Sequence, residues 1–205
     1  MLGNKDFDLW AREYDKSVGL SDDDNTYPFA GYKVILNEIY NQVLTSSAKK
    51  ILDIGFGTGT LTTRLYEQGC EIYGQDFSEE MIRIAKEKMP EAILYSGDFT
   101  NGLKEPLKEQ SYDAIIATYS LHHLDDEQKV EFIKSLFTLL NEDGVLYIGD
   151  VAFQTRKELE ACKAESGEYW DDEEFYFVYE ELKEHLPIST FEKYSFCSGL
   201  LTISN

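Results

Sequence analysis

The sequence predicts a doubly wound α/β fold, a mostly parallel sheet with helices on both faces. Short apolar runs alternate with stretches of helical periodicity from Lys50 to Asp150, and such alternation implies crossover connections between parallel strands. A glycine-rich turn, Gly55-Phe56-Gly57-Thr58-Gly59, joins the first apolar run to its helix. No internal repeat or Pro/Gly/Ser-rich linker interrupts the 205 residues, a length that suits one domain.

Ahead of the sheet, Phe7, Trp10, Ala11, Tyr14 and Val18 recur at helical spacing. The acidic break Ser21-Asp22-Asp23-Asp24-Asn25 follows. Pro28 is then expected to open a helix reaching Val43, because proline at the first helical position forfeits no needed hydrogen bond. Ile51–Ile54 reads as the first strand, and Leu61, Leu65 and Tyr66 share one face of the next helix. Glu71–Gly74 is the second strand and ends at Gln75-Asp76. Ser78 is placed to cap a helix whose first turn carries Glu79 and Glu80, where carboxylates meet the positive end of the helix dipole. Ile93–Tyr95 and Tyr112–Ala117 are the third and fourth strands. Asp125 starts a helix with Gln128 as its capping-box partner. That helix is expected to bury Val130, Ile133, Leu136, Phe137 and Leu140 and to end at Asn141–Gly144. Val145–Gly149 is the fifth strand, and Phe191–Tyr194 with Leu200–Ile203 are expected to add C-terminal edge strands as a hairpin.

Nineteen Lys+Arg against 39 Asp+Glu leave a formal net charge of −20. Gripping a phosphate backbone draws on clustered cations and counterion release, so a nucleic-acid partner is disfavoured. Docking on anionic lipid is disfavoured for the same reason. Apolar residues at 42% and aromatics at 14% supply too much packing material for a disordered tail. The three cysteines are scattered and form no C-x-x-C pair, so they read as reduced thiols of a cytoplasmic protein, with Cys70 a small core residue. The first residues lack the apolar stretch of a signal peptide, and no run of eighteen apolar residues offers a membrane span.

In open α/β sheets, ligands sit beyond the carboxyl ends of the strands, near the point where strand order reverses. The loop at the end of the first strand is spaced G-x-G-x-G, so its third glycine falls one residue early for the dinucleotide pyrophosphate turn. Asp53, two residues before the first glycine, repels a pyrophosphate and suits a cationic amino group. Asp76, seventeen residues past Gly59, ends the second strand where a carboxylate can accept from both ribose hydroxyls. Gly97-Asp98-Phe99 follows the third strand and offers an acceptor and an aromatic face. Singly, each acid is also explained as a helix cap or a solvated loop residue. Three acids at successive strand ends after a glycine loop are much harder to explain that way.

Ile51-Leu52-Asp53-Ile54-Gly55-Phe56-Gly57-Thr58-Gly59, Gly74-Gln75-Asp76-Phe77-Ser78, Gly97-Asp98-Phe99 and Tyr112–Ile116 running into Leu121-His122-His123-Leu124 resemble the class I S-adenosylmethionine-dependent methyltransferases. The motifs keep their order and spacing over residues 50–150, and Trp10-Ala11-x-x-Tyr14-Asp15 is similar to the small YrrT-type members. Gln75 departs from the aliphatic residue that many relatives carry. The resemblance implies a Rossmann-like methyltransferase fold with S-adenosylmethionine as cofactor and S-adenosylhomocysteine as product. It places Gly55 and Gly57 against the methionine moiety, Asp53 near its amino group, and Asp76 on the ribose. Phe77 and Met81 fall beside the adenine, which Asp98 and the Phe99 amide contact, while Tyr119 lies near the sulfonium and Tyr14 closes over it. Residues 1–47 are then a helical cap, 48–150 the cofactor-binding core, and 151–205 a lid with the C-terminal strands.

Methyl transfer from a sulfonium is a displacement with an activated leaving group, so alignment matters most and a general base is needed only for a protic acceptor. In related enzymes the loop after the fourth strand faces the transferred methyl. That makes His122 and His123 the candidate catalytic pair, with Asp150 orienting one imidazole. An equally weighted alternative has one histidine packed under the next helix and the other solvated, and His185 reads as surface. The acidic, aromatic run Glu168–Phe177 falls where the family inserts a substrate lid, although an ordinary acidic surface helix is the favoured reading of it. Neither Asp22–Asp24 nor Asp171–Glu174 has the spacing of a metal loop, so no metal is expected. The expectation is a monomeric or homodimeric methyltransferase acting on a small molecule. An RNA or protein methyltransferase, a non-catalytic S-adenosylmethionine-binding protein and a nicotinamide dehydrogenase are the alternatives.

Overall fold

The computed structural model describes residue 18 and residues 21–204. Tyr14 and most of the amphipathic segment around it lie outside the described residues. The strands are β1 (Lys50–Ile54), β2 (Glu71–Asp76), β3 (Ile93–Ser96), β4 (Tyr112–Thr118), β5 (Leu140–Phe153), β6 (Phe177–Val178), β7 (Ser189–Lys193) and β8 (Ser198–Ser204). They hydrogen-bond in the order β3-β2-β1-β4-β5-β8-β7, with the short β6 pairing the end of β5. Strands β1 to β5 run parallel, whereas β8 is antiparallel to both β5 and β7. The expected doubly wound sheet is therefore present, and the C-terminal edge strands do form a hairpin. Strand order reverses at β1, which pairs β2 on one side and β4 on the other.

Alternation along the central strands sorts the core. Ile51, Ile72, Ala114 and Ile116 pack with Ile35, Ile39 and Val43 of helix α1 (Tyr32–Thr45) and with Leu61 and Leu65 of α2 (Thr60–Glu67). Ala85 of α3 (Glu79–Lys88) joins that face. Leu52, Ile54, Ile115 and Ala117 face the other way, against Leu107 of α4 (Glu105–Lys108), Ile133 and Leu136 of α5 (Asp126–Phe137), and Leu182 of α7 (Tyr179–His185). Successive side chains of a strand point to opposite faces, so continuous apolar runs are what a sheet covered on both faces requires. A third cluster, Ala30, Tyr119, Val151, Phe153, Cys162, Tyr176, Val178 and Cys197, caps the carboxyl end of the sheet. Cys162 comes from α6 (Arg156–Ser166).

Several elements differ from expectation for local reasons. Helix α1 starts after Gly31, whose φ of 84° is left-handed, and not at Pro28. A Cβ at position 31 would stand 2.8 Å from Ser198 Oγ, so the turn also packs closely on β8. Helix α5 ends at Phe137, and Leu140 belongs to β5. Tyr112 pairs Leu140, yet Ala114 pairs Val145, so residues 141–144 bulge out of register. Ser78 accepts from the Met81 amide, and Asp125 with Gln128 forms the full capping box. Cys70 is buried and His185 exposed, as the sequence suggests. Among the described residues no helix is long and apolar enough to cross a membrane.

Candidate active site

The ends of β1, β2, β4 and β5 converge on the glycine loop. Gly55, Gly57 and Gly59 take φ values of 68°, 55° and 75°, a left-handed region that side chains enter only under strain. Their surroundings differ. A Cβ on Gly55 would stand 2.5 Å from Ser120 Cβ, so the first glycine serves close packing against the β4 loop. A Cβ on Gly57 would meet nothing within 4 Å, so the second leaves the backbone open to the crevice.

Asp53 lies beneath this loop at 1% exposure, and its Oδ1 has no hydrogen-bond partner among the described residues. Burial, reinforced by the nearby Asp76 charge, pushes its carboxyl up to about 7. Asp76 is buried too, and it holds the loop: Gly57 N donates to Oδ2 at 2.8 Å and Ser78 N to Oδ1 at 2.9 Å. Phe77 is half-buried, and Met81 is buried at the start of α3.

Asp98 is exposed, and its carboxylate caps the short turn Phe99–Asn101, accepting from Thr100 N, Thr100 Oγ1 and Asn101 Nδ2. The Phe99 ring is buried against Phe132, with centroids 5.8 Å apart. Phe99 Cε1 would come within 3.5 Å of a Cβ on Gly55, which sets the ring beside the glycine loop. Tyr119 adopts φ 50° and is buried between Phe29 and Tyr32, with ring centroids at 5.3 and 5.1 Å. Tyr32 itself borders the crevice with Asp53, Gly57 and Thr118.

The histidines follow β4 in the turn Leu121–His123. His122 Nδ1 lies 2.7 Å from Oδ1 of Asp150, which is fully buried near the end of β5. Val151 N donates to the same oxygen at 2.8 Å, and Asp150 Oδ2 has no hydrogen-bond partner among the described residues. A carboxylate only accepts, so Nδ1 carries a proton, and Nε2 is the nitrogen turned away from Asp150. Glu174 Oε1 stands 3.5 Å from that nitrogen, and Tyr176 Oη donates to Glu174 Oε2 at 2.7 Å. Burial works to lower the His122 pKa, but the Asp150 charge and hydrogen bond, with Glu174, outweigh it and leave it raised. Burial and the adjacent His122 instead hold His123 down to about 4. The structure therefore brings His122, His123 and Asp150 together, and His122 is the buried member of the pair.

Sequence reasoning reaches Glu174 and Tyr176 only within the run Glu168–Phe177, where it sets Asp171–Glu174 aside as a metal loop, and it does not reach Lys129. Lys129 is 1% exposed within α5, and its ammonium donates to Phe175 O and to Asp126 Oδ1. Phe175 N in turn donates to His122 O at 2.8 Å. The segment carrying Glu174 is thus tied down from both sides. Burial lowers the Lys129 pKa, although Asp126 opposes that shift. Lys129→Met keeps the apolar stem but leaves Phe175 O unpaired. The expected cost is about 1–3 kcal/mol, read as a lower denaturant midpoint at unchanged slope. No local pattern marks these residues, because a buried lysine in an amphipathic helix looks like a solvated one until its neighbours are known.

The methyltransferase domain family matches residues 51–144, a span covering β1 to the start of β5. A methyltransferase of Anoxybacillus flavithermus is 39% identical over 160 residues, covering 78% of this chain and 72% of the relative. The chain belongs to the methyltransferase family. A second member, from Oceanobacillus iheyensis, is 35% identical over 196 residues and covers 93% of this methyltransferase and 87% of itself. Among solved structures, the DhpI–SAH complex shares the fold with a TM-score of 0.70 at 18% identity, covering 97% of this chain and 93% of that one. The plantazolicin methyltransferase BpumL, solved with a pentazolic desmethylPZN analog and SAH, shares it with a TM-score of 0.61 at 16% identity and 98% coverage of both chains.

Proposed function

We propose that this methyltransferase takes S-adenosylmethionine as donor and methylates a heteroatom of a small molecule seated between the glycine loop and the segment around Glu174. Asp53 carries the donor assignment: it is a fully buried carboxylate, one oxygen of which has no partner among the described residues, under a loop whose Gly57 is open to the crevice. An anion so placed complements the α-ammonium of an amino-acid end and opposes a pyrophosphate. Asp76, a buried carboxylate at the end of β2 beside the same loop, is placed to accept from a ribose diol. Relatives of the same fold solved with SAM or SAH support the reading.

The donor supplies an electrophilic methyl group on a sulfonium, and displacement there depends chiefly on alignment. Asp53 and Asp76 fix the two ends of the donor, while Tyr32, packed on Tyr119, borders the crevice beside Asp53 and Gly57. Phe77, Met81, Asp98 and Phe99 form the adenine side, with Asp98 contributing whatever acceptor capacity its cap leaves. His122 is aimed by Asp150, and in its neutral form its Nε2 can take the proton of a protic acceptor as the acceptor's electron pair bonds to the methyl carbon. The acidic surroundings and the −20 net charge favour a neutral or cationic small molecule over a polyanion.

Calorimetric titration with S-adenosylmethionine, S-adenosylhomocysteine and NAD tests the donor half. The first two are expected to bind and NAD is not. Binding of NAD alone, or of neither adenosyl ligand by folded, ligand-free protein, would overturn the reading. A screen of small acceptors with labelled methyl donor then identifies the acceptor.

A further inference from the structure

We infer that His122, His123 and Glu174 form a binding site for one zinc-class divalent ion at the acceptor end of the crevice. The inference deepens the proposed function, on which the ion's catalytic role rests. One ligand atom from each residue lies within 4.8 Å of the others, and His122 Nε2 stands 3.5 Å from Glu174 Oε1. A tetrahedral ion with bonds of about 2.0–2.1 Å holds its ligands about 3.3–3.4 Å apart, so that pair is already near ligation spacing. Two imidazoles and one carboxylate, with a fourth position left open, are the donor set of catalytic zinc centres. All-oxygen sites suit magnesium or calcium better.

The partners behind the ligands strengthen the case. A ligating histidine ordinarily gives its other ring N–H to a carboxylate, which fixes the ring and raises its basicity. Asp150 does this for His122 at 2.7 Å. Tyr176 Oη does the corresponding job for Glu174 at 2.7 Å. The Phe175 N to His122 O bond fixes the two chain segments against each other, so the ligands are held before any ion arrives. Among the described residues neither Asp150 nor Glu174 pairs with a lysine or arginine, and His122 lies between the two carboxylates. A dication at Nε2 would compensate both charges. His123 and Glu174 are only half-buried, which leaves one side for entry.

At the open position the ion would hold the acceptor heteroatom. Its proton passes to water, its electron pair forms the new bond to carbon, and the pair of the breaking carbon–sulfur bond stays on sulfur as a neutral thioether. The ligands sit far apart in sequence, so no spacing motif announces them.

The test uses untagged full-length protein, stripped with chelator and titrated with Co²⁺ under visible absorbance, followed by Zn²⁺ displacement. One equivalent of Co²⁺ with a tetrahedral d–d band is expected. His123→Ala and Glu174→Gln should each weaken uptake at least about 100-fold, and Asp150→Asn about 10-fold to 100-fold. His185→Ala, which removes the third histidine of the chain, should leave it unchanged. Thermal melts confirm that each variant folds. Should one fail, Zn²⁺-induced shifts of the imidazole ¹⁵N signals in the parent protein give the same answer. No Co²⁺ uptake at millimolar concentration, or uptake indifferent to both ligand variants, overturns the site. S-adenosylhomocysteine binding is measured in parallel: binding without metal uptake removes the ion and keeps the donor assignment. Metal uptake without that binding does the reverse.

Discussion

Asp76→Ala is expected to abolish donor binding and to lower the melting temperature of the free protein at the same time. The carboxylate accepts from Gly57 N at 2.8 Å and Ser78 N at 2.9 Å, joining the glycine loop to the start of α3. Hydrogen bonds to a charged acceptor contribute about 1.5–3 kcal/mol each, so losing both costs about 3–6 kcal/mol. In a chain of this length that is a fall of roughly 10 °C. Loss of the ribose contacts should weaken S-adenosylhomocysteine more than about 100-fold, measured by calorimetry below the lowered melting temperature. A position at a strand end suggests that the substitution would spare the fold, but the two amide bonds make Asp76 structural as well. Unchanged affinity beside a lowered melting temperature would leave it structural alone.

Asp53→Asn is expected to act in opposite directions on stability and binding. The folded-state carboxyl titrates near 7, against about 3.9 in an unfolded chain. Between those values the folded protein keeps a proton that the unfolded chain has lost. Wild-type stability therefore falls as pH rises from about 4 to 7 and is flat in this respect on either side. Asparagine removes that slope, so the variant gains on the wild type across the window by at most about 4 kcal/mol and holds the gain above it. Comparing denaturant midpoints at pH 4, 6 and 8 checks this, and a difference independent of pH would contradict it. Binding of an ammonium group above Asp53 should ionise it. At pH 6 the wild type should then release up to one proton per ligand, seen as a dependence of binding heat on buffer. The variant should release none and bind more weakly.

What the sequence makes legible follows from how local its signals are. Parallel strands buried on both faces, the Ser78 cap and the Asp125–Gln128 box are each written in a few consecutive residues, and all appear where expected. The cofactor side is similarly local, because glycines and acids at strand ends are placed by the strands themselves. The bulge at 141–144 escapes notice because it depends on β4 pairing across an irregular register. Gly31 overrides Pro28 as the start of α1, at a left-handed position packed so close to Ser198 that a side chain would not fit, a contact made across the chain. On the adenine side, Asp98 looks like a ligand, yet most of its acceptor capacity serves the turn after β3. The acceptor side is least legible. Glu174 looks like one acid among many until the chain returns it to His122.

That return has a bearing on how the fold diversifies. Strand β5 runs on to Phe153, where Ala152 and Phe153 pair the two residues of β6. In the proposed arrangement the donor half is complete by the turn after β4, while the segment carrying Glu174 hangs from this overhang and is fixed at Phe175 and Lys129. The two halves are therefore separable modules, and the second is a cartridge with defined plugs. Grafting a related enzyme's segment between α6 and α7, with those anchors retained, is the rational route to altering what is methylated while leaving the source of the methyl group untouched.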